Sequence, residues 1–447
     1  MILAIDIGSS SVRASLYDEN AEPLPRASTK IERTLKTTPD GGAELDADDA
    51  LAEVIDAIDQ LLAKTAMLNR EITHVAACSF WHSLVGIDGD YQPTTKVLSW
   101  ADTRSGKYTE TLKKRFDEHE THNRTGAHFH STFWPAKLLW LRKDFPDVFA
   151  KTERWLSFSD YVALKLFGTA TTSVSMASGT GIFDVRKCDW DVELLKFLKI
   201  KRADLPAIVA NDSDTFKLNK KNAKRWPRLA HAKWFLPVAD GAADNVGAGC
   251  VTNTHATLMV GTSGAMRVVY EGDPPDQIPE GLWCYRVNRK ICVLGGALSD
   301  GGNLAQWMRD NLRLGRDADE VVSRRLGTLS TIKIAPYFNG ERSTGYNESA
   351  TGSIIGLTAA HDAHDIYRAA MEAVADRFAD ILRRLETVFK IEHIVASGGA
   401  LRESPVWTEI ISTALNRKLT LNDARESSSR GAVLLALQFS KNNNEIP

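Results

Sequence analysis

The sequence predicts an α/β protein built as two domains with a cleft between them, residues 1–238 and 239–447. Three observations predict it. Apolar strand patterns alternate with amphipathic helical ones, as in a mainly parallel sheet with both faces covered. The chain has 447 residues, more than one hydrophobic core usually serves. An apolar strand pattern running into Gly-Ser/Thr-Ser appears once in each half, at residues 5–11 and again at 259–265.

Residues 2–7 are apolar apart from Asp6 and stop at Gly8, which reads as a buried strand and its turn. Leu51, Val54, Ile55, Ile58 and Leu62 recur at helical spacing with acidic residues between them, the pattern of an amphipathic helix. A second strand follows over residues 72–78. A polar stretch over 211–233 precedes the domain boundary, with no long Gly/Ser or Pro linker, so the halves are expected to pack closely. In the second half, Ile366, Ala370, Val374, Phe378, Ile381, Leu385 and Val388 mark one face of a long helix. A strand over 391–396 and the turn Ser397, Gly398, Gly399 come next.

Composition excludes several function classes. Hydrophobic residues make up 43% and charged residues 25%, and the net charge is −2, so no basic field is available for nucleic acid or an acidic membrane. The run Lys217, Lys220, Lys221, Lys224, Arg225, Arg228 has one interleaved aromatic, Trp226, and reads as a solvated loop. Five scattered cysteines without a C-x-x-C pair predict neither a disulfide framework nor a zinc site, and fit a cytoplasmic protein. The first residues lack a basic leader pattern, and no run of about eighteen apolar residues occurs. The expected partner is a small molecule, not nucleic acid or membrane; a homodimer is carried as an expectation without a residue pattern behind it.

Five segments could carry chemistry. Gly8, Ser9 and Ser10 follow a strand, where glycine lets the backbone approach a phosphate and the hydroxyls and N–H groups can bind its oxygens. Asp6 beside them could hold Mg2+, which prefers oxygen ligands. Gly261, Thr262 and Ser263 repeat the turn in the other half, and a triphosphate between two domains needs donors from both sides. Residues 239–249 hold Asp240, Asp244, Asn245 and three glycines after a short apolar run. Asp240, first polar residue after that run, suits a general base, and equally well a helix cap. Gly398, Gly399 and Ala400 form a turn against which a flat ring could lie, or a plain strand-to-helix turn. Trp81 and His82, with Asp102 and Arg104 near Trp100, suit a polyol or its carboxylate, although a structural histidine and a local ion pair explain them as simply.

The order of these elements resembles the FGGY carbohydrate kinases, in the actin, sugar-kinase and heat-shock ATPase superfamily. The resemblance spans nearly the whole chain. It includes D-x-G-S-S from Asp6, W-A-D-x-R from Trp100, K-L-L-W-L from Lys137, S-x-x-D-Y from Ser157 and D-G-A-A-D-N-x-G-A-G from Asp240. G-T-S-G from Gly261, Gly301 and Gly302 with Asn303, P-Y-F-x-G-E-R from Pro336, S-G-G-A from Ser397, and Glu426 with Gly431 complete it. It implies two actin-like, ribonuclease H-like ATPase domains that close on ATP and a sugar. It implies Asp240 as general base and Asp6 as the Mg2+ residue. Gly8, Ser9, Ser10, Gly261, Thr262 and Ser263 would then face the phosphates, Gly398, Gly399 and Ala400 would border the adenosine, and Gly302 would also belong to the ATP site. Trp81, His82, Asp102, Arg104, Asp240 and Asn245 would meet the sugar or sugar acid. W-H-S-L-V-G from Trp81, W-A-D-T-R-S from Trp100 and R-T-G-A-H-F-H from Arg124 resemble the gluconate-phosphorylating branch, with Trp81 where methionine is usual. A pentulose or polyol kinase is the alternative, then an inactive sugar sensor or a non-sugar ATPase of the superfamily.

Overall fold

The computed structural model describes residues 1–328, 331–422 and 426–441. The first half forms around β1 (Ile2–Ile7), β2 (Ser11–Tyr17) and β3 (Pro23–Glu32), then α1 (Ala47–Lys64) and β4 (His74–Ser79). Helices α2 (Trp134–Asp144) and α3 (Phe158–Phe167) follow, with the short strands β5 (Lys233–Trp234) and β6 (Val238–Ala239) completing the sheet. The strand order is β5-β4-β1-β2-β3, and β6 also pairs with β4. β1 runs antiparallel to β2 and parallel to β4. The expectation of a mainly parallel sheet is therefore corrected: each sheet is mixed. Three residues separate β1 from β2, a length that makes a hairpin but not the crossover a parallel pair needs.

Side chains alternate across β1. Leu3, Ile5 and Ile7 pack with Val54, Ile58 and Leu61 of α1 and Tyr161 of α3. Ile2 and Ala4 face the opposite way. There they meet α4 (Asp240–Gly247) and the helix that ends the described chain. Asp46 caps α1 by accepting from Asp48 N and Asp49 N.

The second half holds β7 (His255–Val260), β8 (Gly264–Glu271), β9 (Trp283–Arg286) and β10 (Ile291–Leu298). After them come α5 (Gly302–Asn311), α6 (Ala363–Leu385), β11 (His393–Ser397), α7 (Gly399–Glu403), α8 (Pro405–Leu415), β12 (Leu419–Leu421) and α9 (Ser427–Ser440). The sheet order is β9-β10-β8-β7-β11-β12. Without β9, the order and directions repeat those of the first sheet: β7, β8, β10, β11 and β12 answer to β1, β2, β3, β4 and β5. The echo between residues 5–11 and 259–265 is thus a repeated hairpin at the centre of a repeated sheet. Leu258, Val260 and Val268 bury against Val374 and Phe378 of α6. Helix α6 ends at Leu385, so Val388 lies beyond it and is exposed.

Helices α4 and α9 pack between the two sheets. Ala242, Val246, Val433 and Ala436 share one core with Ala76 of the first sheet and Val269 and Val293 of the second. Glycines let the two helix backbones touch: a Cβ at Gly431 would stand 1.8 Å from the Ala243 carbonyl oxygen.

Candidate active site

The carboxyl ends of β1, β4 and β6 converge. Register pairs Asp6 with Cys78 and Cys78 with Val238, which sets Asp6 level with the strand leading into Asp240. Ala239 is the N-cap residue of α4 and Asp240 its first helical residue, so Asp240 does not serve as the cap. Its carboxylate accepts from Gly241 N at 2.6 Å. Burial, then repulsion from Asp6 and Asp244, outweighs the attraction of Arg267 and pushes this carboxyl up to about 7. A carboxyl tuned near neutrality can take a proton and give it up again.

Asp6 is also raised by burial, although Arg13 lies 3.7 Å away and the Cys78 thiol donates to it at 3.5 Å. Asp244 stands 3.9 Å from Arg267 and Glu426 adds a further carboxylate to the field at Asp6. Among the described residues no three His, Cys, Asp or Glu side chains form a metal cage. A part-buried carboxylate in an acidic field is nonetheless the donor Mg2+ uses when phosphate oxygens and waters complete its shell, so Asp6 fits that ion.

The two phosphate-type turns have matching geometry. Gly8 N donates to Ser11 O at 2.9 Å and Gly261 N to Ser263 O at 2.9 Å. The start of α5 is pinned to the second turn, with Gly302 N donating to Gly261 O at 2.8 Å and Asn303 N to Thr262 O at 3.1 Å. The Gly302 amide is thus spent inside the protein, and a Cβ there would lie 2.5 Å from Gly261 O. Gly398, with φ 109°, turns β11 into α7, where a Cβ would meet Val260 O at 2.1 Å. Gly399 has open space beside it, and Ala400 borders Gly302, so these residues form one nook.

On the other side, His82 has φ 67° and a buried ring. Its Nδ1 lies 2.5 Å from Gly179 O; a carbonyl only accepts, so Nδ1 carries the hydrogen and Nε2 is an acceptor. Burial, then the charge of Arg342, holds the imidazole well below its usual pKa, hence neutral. Phe133 and Tyr285 pack edge-on to it, and Trp81 stacks beside it while donating to Ser175 O at 2.9 Å. Lys137 of α2 fixes this wall: its Nζ donates to Ser99 O and Thr132 O at 2.7 Å and to His82 O at 3.2 Å.

Asp102 and Arg104 form an internal clamp. Asp102 is fully buried, accepts from Ala43 N at 3.1 Å, and holds the Arg104 guanidinium through Nε at 3.1 Å and Nη2 at 2.5 Å. Glu44 takes the same Nη2 at 2.6 Å. Asn245 is likewise committed: its Oδ1 accepts from Thr257 at 2.7 Å and its Nδ2 donates to Arg267 O at 3.2 Å, tying α4 to β7 and β8. A cleft of about 570 Å3 opens between the halves, walled by Trp100, Thr103 and His130 on one side and Thr262, Asn303 and Arg342 on the other.

Sequence reasoning missed Arg267, Tyr285 and the position of Arg342. Arg267 and Tyr285 lie on β8 and β9, where the aromatic alternation of Trp283 and Tyr285 was the one local signal; Arg342 closes the P-Y-F-x-G-E-R motif, which does not say where its side chain stands.

Comparisons with known proteins place the chain in a family. The N-terminal domain model of the FGGY family of carbohydrate kinases matches residues 1–249, and its C-terminal domain model matches residues 256–438. A gluconokinase of Bacillus subtilis is 27% identical, over 98% of this chain and 87% of its own. Among solved structures, a gluconate kinase from Lactobacillus acidophilus superimposes with TM-score 0.89 at 28% identity, covering 100% of this chain and 90% of that one. A xylulose kinase from the same organism superimposes with TM-score 0.89 at 27% identity, with the same coverage.

Proposed function

The chain belongs to the FGGY family of carbohydrate kinases, and from that premise we propose that it transfers the γ-phosphoryl group of ATP to a hydroxyl of a sugar acid, converting D-gluconate to 6-phosphogluconate. One observation carries the reading of the chemistry: Asp240, directly after β6, is a carboxyl that burial and the charge of Asp6, against that of Arg267, hold at a pKa of about 7. Asp240 takes the hydroxyl proton as the oxygen attacks phosphorus. The turns Gly8, Ser9, Ser10 and Gly261, Thr262, Ser263 bind the phosphates from opposite sides, and the adenosine lies against Gly398, Gly399 and Ala400. Asp6 would hold Mg2+, which would neutralise phosphate charge when bound.

His82 offers Nε2 to a substrate hydroxyl beside Trp81. Asp102, Arg104 and Asn245 act by holding loop and helix in place, since their polar atoms are already paired. We take residues 1–238 and 239–447 as the two domains, and closure between them as the step that excludes water from the transfer. Five free cysteines suit a reducing cytoplasm.

The gluconate relatives support the sugar acid, while the equal structural match to a xylulose kinase keeps a neutral ketopentose as the second reading. Coupled ADP release with Mg-ATP against gluconate, xylulose, ribulose and glycerol separates them. Turnover of gluconate alone supports the first reading. Turnover of a neutral sugar instead replaces it while keeping the kinase.

A further inference from the structure

A sugar acid brings a carboxylate into the cleft, and that anion needs a cation whose charge is not already matched. Besides Arg13, which pairs with Asp6, three guanidinium groups stand near the site. Arg104 is clamped by Asp102 and Glu44. Arg267 faces Asp244 and lies in the field of Asp240. Arg342 differs: among the described residues it makes no side-chain hydrogen bond or ion pair, and its one close partner is the Trp100 ring, 5.2 Å from Cζ to centroid. It lines the cleft.

From this arrangement we propose that Arg342 is the residue that receives the carboxylate of the sugar acid. Resting on the sugar-acid reading, the assignment names the group that reads the substrate's charge. The surroundings agree. No carboxylate ranks among the charges acting on Arg342, and burial disfavours its charged form, a penalty an arriving anion relieves. Arg342 acts in turn on His82 and His130, so it stands on the sugar side and not at the adenosine nook. The Tyr285 hydroxyl close by is buried without a hydrogen-bond partner, leaving a further donor for the same end of the ligand. An arginine stacked on an indole is also pre-oriented for a bidentate grip on a carboxylate.

The test compares the wild type with Arg342→Gln and Arg342→Lys on gluconate and on glucitol, in which a neutral CH2OH replaces the carboxylate. Kinetics are read together with calorimetric affinity for both ligands, KM for ATP and a thermal melt. Arg342→Gln should weaken gluconate about 30-fold or more, leave glucitol and the KM for ATP within about twofold, and so abolish the preference for the acid. Arg342→Lys should recover part of that preference. An unchanged preference in Arg342→Gln overturns the assignment, as does an equal loss on both ligands or a loss confined to ATP. A wild type that neither binds nor phosphorylates any aldonate, while turning over a neutral sugar, overturns the substrate reading itself. That failure is visible before any variant is made.

Discussion

Replacing Asp240 by asparagine should produce a dead enzyme that is more stable than the wild type. The carboxyl moves from 3.8 to about 7 on folding, chiefly through burial. At about 1.4 kcal/mol per decade this disfavours the ionised form by roughly 4 kcal/mol, a ceiling that the intermediate burial of Asp240 lowers. The folded carboxyl keeps its proton up to about pH 7, whereas the unfolded one releases it near 3.8. Folding therefore takes up a proton between those values, and the stability contributed by this group falls as pH rises across that window. Asparagine removes the penalty at neutral pH while nearly preserving shape. The variant should unfold at higher denaturant than the wild type at pH 8 and show little difference at pH 4. Its kcat should drop roughly 100- to 10,000-fold, the range general-base catalysis supplies. In the wild type, kcat/KM should rise with pH and reach half its plateau near 7. Denaturant titrations at the two pH values and coupled ADP release check all three. Near-normal turnover by the variant would refute the role of Asp240; lost turnover without the pH-dependent gain in stability would refute the electrostatic reasoning.

Three further perturbations test the scaffold. Lys137→Met strands the carbonyls of His82, Ser99 and Thr132; it should cost about 3 kcal/mol or more in denaturant unfolding and raise the KM for the sugar. Arg104→Gln leaves fully buried Asp102 without its cation; a loss of about 3–5 kcal/mol is expected, with acid and neutral substrates affected alike. Gly431→Ala in α9 would gain up to about 1 kcal/mol on an exposed helix. Here the new Cβ would stand 1.8 Å from Ala243 O, so a net loss of about 2 kcal/mol and a lower Tm are expected.

What the sequence made legible is what local patterns encode. Asp6 and Gly8 announce a strand end and its turn, and the stripe through Val374 and Phe378 announces the helix that covers the second sheet. The recurrence of Gly-Ser/Thr-Ser gave the duplication because the same hairpin forms at both sheet centres. Strand direction was misjudged, although the short turn at Gly8 to Ser10 already excluded a parallel neighbour. For Arg104 the sequence left a substrate contact and a local ion pair with Asp102 both open, and the second carboxylate that completes the clamp was hidden because Glu44 lies sixty residues away in sequence and 2.6 Å away in space. Asn245 looked available because its partners, Thr257 and the Arg267 carbonyl, belong to strands whose pairing no local rule supplies.

Asp240 explains why the two readings of its segment could not be separated locally. As the first residue of a helix after a strand, any aspartate there could have been a cap. Its distinguishing property is the environment: Asp6 from β1, Asp244 one turn on, and Arg267 from β8 in the other sheet. Helix α4 lies between the two sheets and shares its core with both. The proton affinity of the carboxyl is therefore set jointly by the two halves, through a charge that only the folded duplication brings within range.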